Sequence, residues 1–432
     1  MASYQIIGGK KLSGTVSTKT AKNSALACMC ASLLTTEPVI LKDVPKIHDV
    51  FSLEKVLKSI GVKTSWKGQT LRLQAPKELR LEKIDYESAR KTRIILLTIG
   101  ALANRYQHFK IPRAGGCKLG RRSITPHLYG LERLGLKITT TPNYYNIRRN
   151  KHIRGSKIVM YESGDTTTEN ILLCAALANG TTEIHLASAN YMVQDLAHLL
   201  NAMGAKIKNI GYTQMTVEGV KKLHGATHFI IPDPIESMFW ISLAVTTNSS
   251  LLIKGCPEEF LELELLKLEK MGWKYAVTKR HLSKSGKFKL IDIQTRASKL
   301  TAPPDKIYSR PFPGLNIDNL PFFVPIATRA KGITLIHDWC YENRTLYYLE
   351  FQKLGANMQL ADPHRIFITG PTELKPNEII CPPALRPATI LAIGMIAAKG
   401  KSILRNTYSI DRGYENLYTR LKKIGANIKE IS

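Results

Sequence analysis

Positively charged residues stand where apolar helices are expected to begin. In TAKNSAL (residues 20–26), Lys22 and Asn23 precede a run of small residues. Arg93 in KTRIILL and Arg386 in PPALRPATI occupy a similar place in front of later apolar runs. Exposed N–H groups and the positive dipole end of a helix favour anions, so these positions predict binding of phosphate or carboxylate groups. For Lys22, a solvated lysine in a loop remains the alternative.

A glycine-rich loop contains a cysteine. The segment IPRAGGCKLGRRSITPH (residues 111–127) places Cys117 among glycines, a lysine and arginines. Neighbouring cations favour the reactive thiolate, and glycines allow a loop to close over a ligand. Most cysteines outside disulfides are buried structural thiols, but this charged setting disfavours burial. We therefore interpret Cys117 as a functional thiol, although no partner of the cysteine-protease type is identifiable.

Two further segments each have two interpretations. PFPGLNIDNLPFF (residues 311–323) puts Asp318 in front of an apolar helix, where it could cap the helix or act as a general base. SIDRGYENL (residues 409–417) puts Arg412 between a strand and a helix, where it could form a surface salt bridge or bind an anion. On the residues alone, the cap and the salt bridge are favoured.

The elements that must position these residues repeat six times. Each repeat has an amphipathic helix that ends at a glycine and is followed by a short strand. The glycines are Gly61, Gly135, Gly204, Gly272, Gly355 and Gly425. A glycine at this place indicates the left-handed residue that ends a helix. A second, more apolar helix recurs out of phase and should be buried. Because one repeat is too short for a full core, six repeats predict two domains of three, with a boundary near the prolines of FIIPDPIES.

The composition excludes several classes of protein. The 432 residues are 44% hydrophobic and 22% charged, as in a folded protein, and no apolar stretch is long enough for a membrane span. The N-terminus lacks a secretion signal, and the seven scattered cysteines lack zinc spacing, so we expect a reduced cytoplasmic protein. The formal net charge is +28, but the basic residues are spread along the chain. This spread favours small anionic substrates over nucleic acid as the main partner.

In combination, several motifs resemble the enolpyruvyl transferase family along essentially the whole chain. They are AKNSAL, KTR, GGCKLGRR, TENILLCAALANGTT, PDPIE, YENR, ALR and IDRGYE. The cysteine of GGCKLGRR is similar to that of the branch that acts on UDP-sugars. The resemblance implies an inside-out α/β barrel of two domains, each made of three βαβαββ-type units. In the family the N-terminal strand joins the C-terminal domain, which implies one domain of residues 22–232 and another of residues 1–21 with 233–432.

By this resemblance, the enolpyruvyl group of phosphoenolpyruvate moves to the 3-hydroxyl of UDP-N-acetylglucosamine by addition and elimination, and phosphate is released. The family needs no metal or other cofactor, begins peptidoglycan synthesis and is the target of fosfomycin, which alkylates the loop cysteine. Cys117 is implied to be the general acid, Asp318 the base, and Lys22 and Arg412 catalytic residues that hold phosphoenolpyruvate. The implied substrate-binding residues are Lys22, Asn23, Arg93, Arg122, Ser123, Ile124, Thr125, Pro126, Gly164, Asp318, Cys340, Arg386 and Arg412.

Four departures from the family pattern lie on the acceptor side. Ala384 stands where the family has Asp, and the loop FPGLNID is three residues longer than usual. GDTTTEN brings Asp165 into the nucleotide loop, and SANY (residues 188–191) replaces an acidic turn. The phosphoenolpyruvate side is intact. Two alternatives therefore stay open: another uridine nucleotide such as UMP as the acceptor, or a non-catalytic binding protein on this fold.

Overall fold

A computed structural model describes residues 3–115 and 123–431, which divide into two compact units. The central unit comprises residues 20–115 and 123–231, and the terminal unit comprises residues 3–19 and 232–431. Among the helices of these ranges, none combines the length and the apolar character that crossing a bilayer requires.

The chain begins with two strands of the terminal unit, β1 (Ser3–Gly8) and β2 (Ser13–Ser17). It then forms the central unit. In order, the α-helices and strands of that unit are α1 (Lys22–Ala31), β3 (Val39–Lys42), α2 (His48–Ser59), β4 (Lys63–Lys67), β5 (Thr70–Gln74), α3 (Tyr86–Arg90), α4 (Leu97–Ala103), β6 (His108–Pro112), α5 (Thr125–Glu132), β7 (Leu136–Thr140), β8 (Tyr144–Arg149), β9 (Lys157–Val159), α6 (Asp165–Ala175), β10 (Thr181–His185), α7 (Tyr191–Ala202), β11 (Lys206–Lys208), β12 (Gln214–Glu218) and β13 (Thr227–Phe229).

The remainder of the chain completes the terminal unit. Its α-helices and strands are α8 (Pro234–Thr246), β14 (Ser250–Pro257), α9 (Glu262–Lys270), β15 (Tyr275–Leu282), β16 (Lys289–Thr295), β17 (Leu300–Thr301), β18 (Ile307–Tyr308), α10 (Phe323–Ala327), β19 (Ala330–His337), α11 (Arg344–Tyr348), β20 (Asn357–Asp362), β21 (Arg365–Gly370), β22 (Glu378–Ile380), α12 (Leu385–Ala397), β23 (Gly400–Arg405), α13 (Tyr408–Asp411), α14 (Leu417–Lys423) and β24 (Asn427–Ile431). Short 3-10 helices cover Ser32–Leu34, Leu81–Lys83, Arg93–Leu96, Glu258–Phe260, Leu320–Phe322 and Leu349–Leu354.

The described strands form six sheets, three in each unit. In five of them, an edge strand runs parallel to its neighbour and the remaining pairs are antiparallel. The orders are β13–β3–β5–β4, β9–β10–β12–β11, β2–β14–β16–β15, β18–β19–β21–β20 with β17 also parallel to β19, and β22–β23–β1–β24. The sixth sheet, β6–β8–β7, has only the antiparallel strands. The predicted six repeats and the two-domain α/β fold class are confirmed.

Strands from distant parts of the chain complete two of these sheets, β13–β3–β5–β4 and β22–β23–β1–β24. Strand β13, at the end of the central unit, pairs in parallel with β3 near its start. Strand β1 lies between β23 and β24, where Ile6 is opposite both Ser402 and Ile428. Each unit is therefore closed by pairing between its two chain ends.

The apolar helices lie in the cores, as their sequence predicts. In the central unit, α4 packs against α1 and α6, and in the terminal unit α8, α10 and α12 pack on each other. The helices α4 and α6 approach so closely that a Cβ atom on Gly100 would lie 2.2 Å from the carbonyl oxygen of Asn170. Glycine is required at this crossing because any larger residue would separate the helices.

All six repeat glycines have a left-handed backbone. Their φ angles lie between 80° and 101°. Glycine reaches this conformation without steric cost, so it ends the helix and turns the chain into the next strand. The helix ends predicted from the repeats are confirmed.

Two apolar or amphipathic stretches are less regular than predicted. In the second repeat, the 3-10 helix Arg93–Leu96 precedes α4, and in the fifth repeat the amphipathic segment is α11 followed by the 3-10 helix Leu349–Leu354.

Candidate active site

The predicted phosphate-binding lysine opens the first buried helix. Lys22 is the first residue of α1, and its Nζ lies 3.0 Å from Oδ2 of Asp49 in the first turn of α2. Asp49 is buried, whereas 17% of the Lys22 side chain is exposed. The ion pair fixes the lysine at the start of the helix, where an anion is favoured. Asn23, the next residue of α1, is half-buried.

Arg93 contacts the strip of residues that the resemblance assigns to the nucleotide. Its Nη2 donates to the backbone oxygen of Ser123 at 2.7 Å. The Ser123 hydroxyl accepts the N–H of Thr125 at 3.0 Å, and Pro126 follows in the first turn of α5. Ile124 is half-buried at the same helix start. The structure thus brings Arg93 and residues 123–126 together inside the central unit.

The loop before α6 combines two of the departures from the family pattern. Gly164 is the residue before α6, and Asp165 is its first residue. The Asp165 carboxylate accepts the hydroxyl of Ser188 at 2.6 Å and the amide of Asn190 at 3.1 Å. Ser188 and Asn190 belong to the SANY turn. The two altered segments therefore hold each other, and the negative charge of Asp165 is shared with two hydrogen-bond donors.

A buried histidine of α5 contacts helix α6. His127 is 2% exposed, and its Nδ1 lies 3.2 Å from Nδ2 of Asn170 on α6. Burial, with a smaller contribution from the charge of Arg93, lowers the pKa of His127 from its usual 6.5 to about 3. The imidazole is therefore neutral at physiological pH, and its Nδ1 accepts a hydrogen bond.

In the terminal unit, Asp318 lies beside two arginines. Its Oδ2 is 3.5 Å from Nη2 of Arg386, and its Oδ1 is 3.8 Å from Nη1 of Arg344. Asn319, rather than Asp318, is the residue before the 3-10 helix Leu320–Phe322, so the cap interpretation of Asp318 is wrong. The side-chain oxygen of Asn316 accepts the N–H of Asp318 at 2.9 Å, which fixes the turn and directs the carboxylate to the arginines.

Arg344 was not selected from the sequence, although it ends the YENR motif. It is fully buried. Its Nε and Nη2 both donate hydrogen bonds to the carboxylate of Asp338, the bond from Nη2 at 2.9 Å. The Tyr348 hydroxyl donates to the same carboxylate at 2.7 Å. Nη2 also donates to the carbonyl of Ile317 at 2.8 Å, directly before Asp318. Nη1 makes no hydrogen bond with any residue the structure describes, which leaves a buried cationic donor on the side of Asp318.

Arg386 is held at the start of a buried helix. It is the second residue of α12, only 8% exposed, and its Nη1 donates to the Tyr414 hydroxyl at 2.8 Å. Ala384, where the family has Asp, precedes α12 and offers no side-chain cap. The carboxylate of Asp233 is also close enough to interact with Arg386, although burial raises the pKa of Asp233 to about 6. Asp233 and Tyr414 are therefore further residues of this site that the sequence did not indicate.

The remaining predicted residues of the terminal unit lie in turns. Arg412 is half-buried at the end of α13. The neighbouring Asp411 accepts the hydroxyl of Tyr4 in β1 at 2.8 Å and that of Thr407 at 3.4 Å. Cys340 is half-buried, and its sulfur lies 3.8 Å from the hydroxyl of Ser309.

The predicted thiol and one predicted arginine cannot be placed. Cys117 and Arg122 lie outside the described residues. Their roles stay predictions from the sequence.

One buried group of side chains has the atom types of a metal site. Among the described residues, ligand atoms of Cys28, Asp195 and His228 lie within 4.8 Å of one another. However, His228 Nε2 is 2.8 Å from Asp195 Oδ1, and Oδ2 accepts the N–H of Ile231 at 3.2 Å. Burial raises the pKa of the Cys28 thiol well above its usual value. Hydrogen bonding and burial account for these three residues as part of the core.

Comparison with known protein families identifies a match along almost the whole chain. The model of the family described as EPSP synthase (3-phosphoshikimate 1-carboxyvinyltransferase) matches residues 6–421. The UDP-N-acetylglucosamine 1-carboxyvinyltransferase of Treponema denticola is 35% identical over 430 residues, which are 99% of each chain. The protein of that name from Borreliella burgdorferi is 33% identical, over 100% of this chain and 99% of its own.

Solved structures have the same fold. The enolpyruvyl transferase NikO from Streptomyces tendae superposes with a TM-score of 0.86 and 22% identity, over 100% of this chain and 99% of its own. An EPSP synthase from Acinetobacter baumannii superposes with a TM-score of 0.75 and 16% identity, over 100% of both chains. At these identities, the likeness concerns the fold.

Proposed function

The chain belongs to the EPSP synthase family of enolpyruvyl transferases, and on that premise we propose that it is a UDP-N-acetylglucosamine 1-carboxyvinyltransferase. It transfers the enolpyruvyl group of phosphoenolpyruvate to the 3-hydroxyl of UDP-N-acetylglucosamine and releases phosphate. The reaction serves peptidoglycan synthesis. The observation that carries this proposal is the full-length similarity, at 32–35% identity, to relatives of that name from several bacteria.

The addition step uses one base and one acid. Asp318 takes the proton of the sugar hydroxyl, whose oxygen forms a bond to C2 of phosphoenolpyruvate. C3 takes a proton from the Cys117 thiol, and the product is a tetrahedral phospho-ketal. The position of Asp318 beside Arg344 and Arg386 supports this role, because both cations hold the carboxylate in one orientation.

The elimination step reverses the proton movement at C3. C3 returns a proton to the Cys117 thiolate, the double bond to C2 forms again, and the bond from C2 to the phosphate oxygen breaks. The proton that Asp318 removed from the hydroxyl is released with the phosphate. The leaving phosphate takes the electron pair of that bond. Throughout the cycle the reacting group is anionic, so fixed cations lower the barrier.

Five cations supply that stabilisation. Lys22, Arg122 and Arg412 bind phosphoenolpyruvate, and Arg93 and Arg386 add positive charge. The ion pair of Lys22 with Asp49 and the buried hydrogen bond of Arg386 support preorganisation of these side chains, because neither must reorder when substrate binds.

The acceptor contacts Asn23, residues 123–126, Gly164, Asp318 and the backbone at Cys340. Asp165 does not oppose a diphosphate as a free carboxylate would, because Ser188 and Asn190 donate hydrogen bonds to it. The altered GDTTTEN loop is therefore compatible with a diphosphate acceptor.

Release of phosphate from phosphoenolpyruvate tests the proposal directly. We expect phosphate release that depends on UDP-N-acetylglucosamine, and a product whose mass is that of the acceptor plus the enolpyruvyl group. Turnover with UMP and none with UDP-N-acetylglucosamine would establish the alternative acceptor. No release with either nucleotide would favour a binding protein.

The role of Cys117 has its own test. Cys117→Ser should prevent covalent labelling by fosfomycin, because the serine hydroxyl is a far weaker nucleophile than a thiolate. Intact-protein mass spectrometry measures the adduct. Cys340→Ser, which alters a half-buried thiol of the YENR segment, should leave the labelling unchanged. Labelling that persists in Cys117→Ser would assign the nucleophile elsewhere.

A further inference from the structure

The second repeat presents a strongly basic surface once its strands are paired. Residues 133–157 contain seven Lys or Arg and no Asp or Glu. The pairing of β6, β8 and β7 places His108, Arg148 and Lys137 directly opposite one another across the sheet. All three are exposed, since the alternating residues Phe109, Ile147 and Ile138 are buried.

A second row of side chains lies next to the row of His108, Arg148 and Lys137, on the same exposed side of the sheet. Lys110 lies opposite Asn146, and Asn146 lies opposite Thr139. Lys110 is also diagonal to Arg148, at the roughly 7–8 Å typical of such pairs. We call the outer side formed by His108, Lys110, Lys137, Asn146 and Arg148, together with Tyr144, the basic face.

The charges of the basic face are not neutralised within the protein. The side chains of Lys110, Lys137 and Arg148 form no ion pair or hydrogen bond with any residue in the described ranges. Other sheets differ, since Lys206 pairs with Glu218 across β11 and β12, and Arg365 pairs with Asp362 beside β21. Like charges opposite each other destabilise a sheet, so the uncompensated row favours an external polyanion.

The basic face includes one exposed aromatic ring, and a second ring lies next to it. Tyr144, on β8, is 38% exposed, and its ring centroid lies 5.7 Å from that of Tyr86. The Arg90 guanidinium lies 5.3 Å from the Tyr86 ring. An exposed tyrosine beside cations provides a stacking surface that unpaired bases can use, in addition to contacts with phosphates.

We propose that the basic face binds single-stranded nucleic acid, with phosphates at Lys110, Lys137 and Arg148 and a base stacked on Tyr144. The sequence disfavoured nucleic acid because its cations are spread along the chain, but strand pairing collects three of them on one surface. This binding is separate from the proposed reaction, since none of these residues belongs to the candidate active site.

The test compares two variants of equal charge. Fluorescence anisotropy measures binding of labelled oligo(dT) and oligo(U) to the full-length protein at 50–200 mM salt. Lys110→Glu/Lys137→Glu/Arg148→Glu should weaken binding at least tenfold and reduce the salt slope of log K by about 2, since each lost phosphate contact on a single strand contributes about 0.7. The control, Lys279→Glu/Lys287→Glu/Lys289→Glu, changes three exposed lysines of β15, β16 and their turn. It should change affinity less than threefold.

Further measurements separate the contribution of stacking from that of charge and check that each variant is folded. Tyr144→Leu should weaken binding severalfold without changing the salt slope, because it removes stacking and no charge. Circular dichroism and the rate of phosphate release should match wild type in every variant. If the triple variant misfolds, Arg148→Glu alone should reduce the slope by about 0.7. Equal losses in both triple variants, no binding by wild type, or preferential binding of phosphatidylserine vesicles through the same residues would each overturn the proposal.

Discussion

At the scale of single residues, the candidate site depends on how charges are paired. Asp318 lies near two arginines, and Arg344 is itself fixed by Asp338 and Tyr348. A buried arginine with a fixed carboxylate partner keeps its orientation, so it can hold Asp318 without moving during the reaction.

Asp318→Asn should therefore reduce the rate of phosphate release at least about 100-fold, because the amide cannot take the proton of the acceptor hydroxyl. Steady-state kinetics with UDP-N-acetylglucosamine measures the effect. The matched control is Asp362→Asn, which removes a half-buried carboxylate that pairs with Arg365. Its rate should equal wild type. An unchanged rate in Asp318→Asn would remove the residue from the mechanism.

The pH dependence of stability tests His127. Its pKa is about 3 in the folded protein and 6.5 when exposed, so the unfolded state binds the proton first as pH falls below 6.5. Stability contributed by the neutral imidazole is present above that pH and is lost below it, by about 2 kcal/mol between pH 7 and pH 5. His127→Gln should lack this loss. Urea unfolding at both pH values measures the difference, and identical pH dependence in the two proteins would contradict the assignment.

At the scale of elements, repeated helices and sheets place the site residues at helix starts. Lys22 opens α1 and Arg386 lies in the first turn of α12, while Arg93 opens the 3-10 helix before α4. The three helices are the apolar helices of their repeats. The same packing that buries each helix therefore presents a cation at its N-terminal end.

The contact between α4 and α6 determines whether that packing is retained. Gly100→Ala should destabilise the protein by several kcal/mol, since the new Cβ would lie 2.2 Å from a backbone oxygen and the helices must separate. Thermal unfolding measures the loss. Gly286→Ala is the control, because its Cβ would meet nothing within 4 Å and costs only the left-handed backbone, about 1 kcal/mol. Equal losses would show that the helix contact is not tight.

At the scale of the whole molecule, both ends of the chain contribute to the sheet β22–β23–β1–β24. Strand β1 is central in that sheet, and its Tyr4 donates to Asp411 beside Arg412. The first residues of the chain thus support a turn that carries a proposed catalytic residue more than 400 positions away.

Neighbouring isoleucines of β1 test this role. Ile6 is 1% exposed, and Ile7 is 39% exposed. Ile6→Ala should lower the free energy of unfolding by about 2–5 kcal/mol, because it leaves a cavity in the core of the terminal unit. Ile7→Ala, on the other face of the strand, should cost under about 1 kcal/mol. Chemical denaturation compares the two, and equal losses would mean that β1 is not packed as described.

Local sequence patterns determined the repeats, the helix ends and the cations at helix starts. Gly61 and its five equivalents ended helices as predicted, because a left-handed residue requires glycine whatever surrounds it. Motifs within a few residues of one another also identified the family. These features depend on periodicity and backbone geometry, which neighbouring residues control.

Contacts between distant residues were decided only by the tertiary structure. The sequence did not indicate that Arg344 and Asp233 lie near Asp318 and Arg386, that Asp165 is held by Ser188 and Asn190, or that Arg148 lies opposite Lys137. Such contacts depend on which strands pair and which helices cross, and packing of the whole core selects these arrangements. Residue types and spacing therefore predicted anion binding, and the family resemblance implied the reaction. Folding determined which charges neutralise one another and which remain available to a partner.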